Sequence, residues 1–193
     1  MGENFYIADM HLSHANVINF DKRPYKNAKE MNKALIENWN SVVNPDDTVY
    51  ILGDFCWGKE DEWIEILKQL KGNKQLIKGN HDIKSMSKEL RSLFQDVKDY
   101  KEIADSGRRV IMCHYPMPFY KADYNPDCYM LYGHVHVTIE NDFMEHIKKH
   151  VRENDKRDSG KHQCNMYNVG CMMPWMNFYP RTLDKIIEGA NND

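Results

Sequence analysis

One coincidence constrains this chain more than any other: short apolar runs repeatedly end in a residue able to ligate a metal ion. Residues 5–8 stop at Asp9 and His11, 48–52 at Gly53-Asp54, and 74–78 at Gly79-Asn80-His81-Asp82. Residues 108–113 stop at His114, and 129–132 at Gly133-His134-Val135-His136. Runs of this length, rich in β-branched and aromatic residues, read as strands. Open α/β sheets gather their sites at the carboxyl ends of strands. Carboxylate oxygen, amide oxygen and neutral imidazole suit manganese, iron, nickel and zinc. An ion that keeps room for water takes three or four protein ligands. The chain offers more such groups than one ion can take, so with one carboxylate shared they serve two ions, a dinuclear centre.

Between these runs the pattern changes to helical spacing. Residues 29–43 place Met31, Leu35, Trp39 and Val42 or Val43 on one stripe, and Asn44-Pro45 stops it. Residues 61–70 do the same through Trp63, Ile64, Leu67 and Leu70, and 84–93 form a further predicted helix. Residues 97–104 and 108–113 read as antiparallel strands about a turn at Asp105-Ser106-Gly107. Residues 139–163 are charged and helix-like, 165–170 a strand, and 183–187 a short helix. The alternation is α/β, and 193 residues with 41% hydrophobic side chains fit one domain over 1–193.

Charge and composition remove several function classes. Lys and Arg total 26 against 29 Asp and Glu, so no global field argues for nucleic acid as an obligatory partner. No apolar run approaches the roughly 20 residues of a membrane-spanning helix. The start shows no export signal, and a cytoplasmic protein is expected. Five cysteines form no C-x-x-C pair and read as reduced thiols. Cys56 and Cys113, beside the motifs, read as small buried hydrophobes rather than ligands.

Each motif alone has a plain reading. Asp9 suits a helix cap, Asp54 a turn, Asn80 a left-handed turn residue, and His114 the end of a strand. In Gly133-His134-Val135-His136, strand alternation puts both imidazoles on one side. The weight lies in the joint order.

That order, D-x-H, G-D, G-N-H-D, H and G-H-x-H, resembles the calcineurin-like metallophosphoesterase superfamily from Phe5 to His136, with continuation toward Pro180. More narrowly, it is similar to small bacterial-type predicted phosphoesterases that begin D-x-H-x-x-H. The resemblance implies a four-layer α/β/β/α sandwich of two mixed sheets flanked by helices. It implies hydrolysis of a small phosphate ester with two divalent ions, manganese first, with iron, zinc or nickel as alternatives. Asp9, His11 and His136 would hold one ion, Asn80, His114 and His134 the other, and Asp54 would bridge them. Water activated by the ions would attack, with His81 as the acid for the leaving oxygen. Asp82 would orient the His81 imidazole or cap the following helix. One departure stands out: where the family pattern often reads G-D-x-x-D, this chain has Gly53-Asp54-Phe55-Cys56-Trp57. A small chain without a separate cap favours phosphodiesters. A phosphomonoesterase acting on a nucleotide or phosphoprotein, a nuclease and a non-catalytic scaffold are the alternatives.

Substrate contacts are expected from His14 and Arg23, the latter offering a planar fork to phosphate. His146 and His150 fall on a charged, solvated helix face, with Lys148, Lys149, Arg152, Lys156 and Arg157 as a local basic strip. Tyr115, Tyr120, Tyr124 and Trp175 are either core or stacking surfaces.

Overall fold

The computed structural model describes residues 2–156 and 162–192; Arg157 and the stretch to 161 lie outside the described residues. The first sheet contains β1 (Asn4–Ile7), β2 (Thr48–Ile51), β3 (Asn73–Ile77) and β4 (Asp96–Lys98), in that order. The second contains β5 (Tyr100–Asp105), β6 (Arg108–Cys113), β7 (Cys128–Tyr132) and β8 (Met166–Asn168). Strands β5 and β6 are antiparallel, while β6, β7 and β8 run parallel. Both sheets were expected to be mixed. The four strands of the first all run parallel, and its antiparallel character is confined to a bridge between Tyr6 and Arg181.

The burial pattern follows the layers. Phe5, Tyr6, Ile7 and Ala8 are all buried, as a parallel sheet covered on both faces requires. In the second sheet alternation sorts the side chains. Val110, Met112 and Leu131 join the core shared with the first sheet, while Ile111, Met130 and Tyr132 form a second core with Met144 and Met166. Met144 belongs to α5 (Ile139–Asn154), which covers that outer face. It starts at Thr138, whose hydroxyl accepts from the Glu140 N–H.

On the first sheet's side lie α2 (Ala28–Val42) and α3 (Glu60–Gln69). Asn27 caps α2 by accepting from the Glu30 N–H, and Met31, Leu35 and Trp39 are buried as the spacing predicts. In α3, Trp63, Ile66 and Leu67 are buried, with Ile64 only partly so. Trp39 and Trp63 have no exposed surface, and truncating either to Ala costs about 3–5 kcal/mol. Helix α6 (Leu183–Asn192) packs on the edge strands β1 and β8, closing one side of the sandwich.

The expected strand over 97–104 is two strands in different sheets. Val97 pairs with Leu76, Ile103 with Val110, and Asp99 is the joint between them. The charged run Lys98-Asp99-Tyr100-Lys101 carries no Gly or Pro to mark the crossing. A short helix, α1 (Ala15–Phe20), was not anticipated: it buries only Val17 and Ile18 and lacks a side-chain cap. The helix expected over 84–93 shrinks to α4 (Lys88–Ser92), because Ser87 caps it by accepting from the Leu90 N–H. Helix α5 ends at Asn154 rather than near 163. Among the described residues no helix is long and apolar enough to cross a membrane.

Candidate metal centre

The loops leaving β1, β2, β3, β6 and β7 meet at one end of the sandwich. Those leaving β1 and β2 run side by side, with the Asp9 N–H donating to the Gly53 carbonyl and the His11 N–H to the Asp54 carbonyl. Asp9, His11, Asp54, His134 and His136 all have φ between 46° and 71°, the left-handed region that L-residues occupy at a cost. Five strained non-glycine residues in one site are what ligand placement, rather than chain propensity, would select. Gly53 combines a φ of 85° with a tight fit, since a Cβ there would run into the His114 ring. At Gly79 a Cβ would strike the Asp54 carboxylate and the Asp54 backbone nitrogen.

Donor atoms converge on two neighbouring points. Asp9, His11 and His136 place one ligand atom each within 4.8 Å of one another, and so do Asp9, Asp54 and His114. His11 Nε2 lies 3.2 Å from His136 Nε2. His114 Nδ1 donates to the Leu52 carbonyl at 2.8 Å, which turns the lone pair of its Nε2 inward. That nitrogen sits 2.9 Å from Asn80 Oδ1, and His134 Nδ1 lies 2.9 Å from the same oxygen. Lone pairs facing one another at this distance, without a proton from His114 to join them, suit a cation. Asp54 Oδ2 lies 3.6 Å from His11 Nε2 and 3.6 Å from His114 Nε2, midway between the two groups. The donor set is four imidazoles, two carboxylates and one amide, without thiolate. Cys56, expected to be a buried small side chain, is buried and accepts from the Gly58 N–H.

The electrostatics fit ligands kept ready for a positive charge. Burial pushes the Asp9 carboxyl up to about 7, although His136 pulls the other way. Burial, and then repulsion from His136, pushes His11 down to about 2. Burial also lowers His114 and His134. His136 is raised: burial opposes its charge, but the hydrogen bond to Asp21 and the charges of Asp9 and Asp21 outweigh it. Neutral imidazoles are the form a metal binds.

Two expected roles are corrected by burial. Arg23 does not reach over the site. It is buried, with NH1 donating to the Met10 carbonyl at 2.7 Å and NH2 to the Asp9 carbonyl at 2.8 Å. Its Nε and NH2 also hold Asp21 Oδ2, at 2.9 and 2.7 Å, so the fork is spent behind the ligand loop. Asp21 Oδ1 lies 2.9 Å from His136 Nδ1, a supporting contact that sequence reading missed. Its only signal was an acid two residues before Arg23.

Asp82 neither orients the His81 ring nor caps a helix. Its carboxylate is buried and accepts from the N–H groups of Gly79 (2.7 Å), Phe55 (2.9 Å) and Asp54 (3.1 Å). It ties the loop carrying Asp54 to the loop carrying Asn80. Those bonds do not offset burial, which raises the Asp82 carboxyl to about 6.

His81 is exposed, and its backbone N–H donates to Asp54 Oδ1 at 2.9 Å. His14 lines the same cavity of about 320 Å³ as His81, His11, Asn80, His134 and His136. Its ring stacks on Trp57 at 4.1 Å and 10°. Trp57 occupies the position where the second acid of the pattern would stand. Among the aromatic residues, Tyr120 is core, whereas Tyr115 and Tyr124 are about half exposed. Lys148, expected in a local basic strip, is instead buried against Tyr167 with its ammonium on Glu145.

The chain is 30% identical over 190 residues to an uncharacterised protein of Methanocaldococcus jannaschii, covering 97% of this chain and 91% of that one. It is 28% identical over 167 residues to the gene 66 protein of Mycobacterium phage D29, covering 72% and 81%. The crystal structure of a protein of unknown function from Aquifex aeolicus superposes with a TM-score of 0.67 at 26% identity, covering 97% and 99%. The family model for the calcineurin-like phosphoesterase superfamily domain matches residues 5–177, a span that contains every motif and both ligand groups. The chain therefore belongs to the calcineurin-like phosphoesterase superfamily, hydrolases acting on phosphate esters.

Proposed function

We propose that this protein is a phosphodiesterase with a dinuclear metal centre. Asp9, His11 and His136 hold one divalent ion, Asn80, His114 and His134 hold the other, and Asp54 bridges them. The observation that carries this reading is the placement of Asp54 Oδ2, 3.6 Å from an imidazole nitrogen of each group. Two divalent ions, when bound, supply the Lewis acidity that polarises a phosphoryl group and activates water near neutral pH. The mixed oxygen and imidazole donors suit manganese, iron, nickel or zinc.

The chain's own residues do the rest. His81 is fixed to Asp54 through its backbone while its ring stays open to the cavity, where it donates a proton to the leaving oxygen. Asp21 and Arg23 hold His136 in place, and Asp82 holds the Asp54 and Asn80 loops together. Among the described residues no Lys or Arg lines the cavity. A dianionic monoester would gain from such a cation, so its absence favours the singly charged diester.

The test is hydrolysis of bis-p-nitrophenyl phosphate and p-nitrophenyl phosphate by chelator-stripped protein reconstituted with manganese. Turnover restored by metal, with the diester preferred, is the expected result. A preference for the monoester overturns the diester assignment, and silence with every divalent ion overturns the catalytic reading.

A further inference from the structure

Two apolar walls flank the candidate ligands, and each belongs to one group. Beside the first group stand Trp57, stacked on His14 at 4.1 Å, and Phe20, whose ring approaches His136 edge-on at 5.4 Å. Trp57 is 48% exposed and Phe20 63%. Beside the second stands Tyr115, with its ring 4.6 Å from His134 and 5.2 Å from His114. Tyr115 continues into a second cavity, of about 600 Å³, walled by Ile139 and Phe143, which are 82% and 64% exposed. His134 lines both cavities, so the two walls adjoin at the candidate ligands.

Isolated apolar residues on a surface need no explanation, but apolar walls on both sides of a candidate metal centre mark a binding site. The stack on His14 fixes the Trp57 indole plane while leaving about half the side chain open. A phosphodiester has two organic arms that leave phosphorus in different directions. A phosphate held between the ligand groups would therefore present one arm to each wall. Among the described residues neither cavity is lined by Lys or Arg. Lys78 and Lys84 line a third cavity that shares Asn80 and Tyr115 but none of Trp57, Phe20, Ile139 and Phe143, so the apolar walls themselves offer no cation to the further phosphates of a nucleic-acid strand.

We infer that the Trp57 wall and the Tyr115–Phe143 wall are the seats of the two arms of a phosphodiester whose arms are uncharged, with an aromatic arm on Trp57. This rests on the diester reading above. The arms gain their affinity by stacking and by apolar burial, and the phosphate by the ions.

Diphenyl phosphate and dimethyl phosphate carry the same charge and differ only in their arms. Calorimetric titration of both into the manganese-loaded protein separates the walls from the metal site. Diphenyl phosphate binds at least about tenfold more tightly in the wild type, from stacking and burial on the two walls. Trp57→Ala and Phe143→Ala each lower that ratio by roughly threefold or more, and the double variant removes it. Both residues are exposed, so the fold tolerates the changes. Tyr124→Ala, exposed but outside both cavities, keeps the ratio. Equal affinity for the two anions in the wild type, or an unchanged ratio in both wall variants, overturns the inference. Preference for diphenyl phosphate without hydrolysis of any diester would leave the walls standing and overturn the catalytic reading instead.

Discussion

The Asp21 carboxylate faces Nδ1 of His136 at 2.9 Å while its other oxygen is gripped by Arg23, so the imidazole that reaches the candidate ions is steered from behind. Such supports typically contribute 10- to 100-fold in metal affinity. Asp21→Asn should retain the fold and weaken manganese binding by roughly that factor, read by calorimetry. Unchanged affinity would show that His136 holds its orientation without help.

Asp54→Ala removes the carboxylate oxygen that lies 3.6 Å from His11 Nε2 and 3.6 Å from His114 Nε2. Metal content by mass spectrometry after dialysis should fall at both sites, and turnover with it. Full occupancy of two ions in this variant would mean that the bridge lies elsewhere.

His81→Ala separates the chemistry from the site. Its ring lines the cavity, while only its backbone N–H touches Asp54. Metal content should stay the same and turnover fall roughly 10²- to 10⁴-fold, the usual share of a positioned acid. A rate near wild type would assign the proton to another donor.

The pH dependence follows from Asp9. Its ordinary value of 3.8 is raised by burial to about 7 in the metal-free site. A carboxyl raised in this way stabilises the metal-free fold fully below about pH 4, and that contribution is lost as pH climbs through about 7. Metal binding needs the ionised form and has the opposite sign. The rise in melting temperature on adding manganese should therefore be larger at about pH 8 than at about pH 5.5, measured by scanning fluorimetry. An equal rise at both would show that Asp9 is not the proton that competes with the metal.

Asp82→Ala orphans three backbone N–H groups at once. Unsatisfied buried donors of this kind cost about 1–3 kcal/mol each before water relieves some of them, so a loss of about 3 kcal/mol is expected in urea unfolding. A loss below about 1 kcal/mol would mean that the two loops are held mainly by other contacts.

The metal motifs were legible because each ligand sits within a few residues of the strand that delivers it, and strands announce themselves by local composition. Asp9, His11, Asp54, Asn80, His114, His134 and His136 accordingly lie just beyond the ends of strands. What stayed hidden depended on depth. Arg23 looks like any loop arginine until Met10, Asp9 and Asp21 are seen to close around it. Asp82 reads as a partner for the adjacent histidine, yet two of its three donors, the N–H groups of Phe55 and Asp54, come from another loop. The change of sheet at Asp99 was invisible for a related reason: Val97 and Ile103 are both adequate strand residues, and only their partners, Leu76 and Val110, tell them apart. Trp57 gave a sequence signal, a missing acid, but its stacking on His14 appears only in three dimensions.

The crossing at Asp99 also divides the ligands. Asp9, His11, Asp54 and Asn80 follow strands of the first sheet, and His114, His134 and His136 follow strands of the second. Neither ligand group is complete on one side of that joint. A chain severed at Asp99 would yield two fragments, each holding part of both sites, and divalent ions would act as an adhesive between them. Reassembly of the halves would then titrate with metal, and ions bound for the reaction would also fasten one sheet to the other.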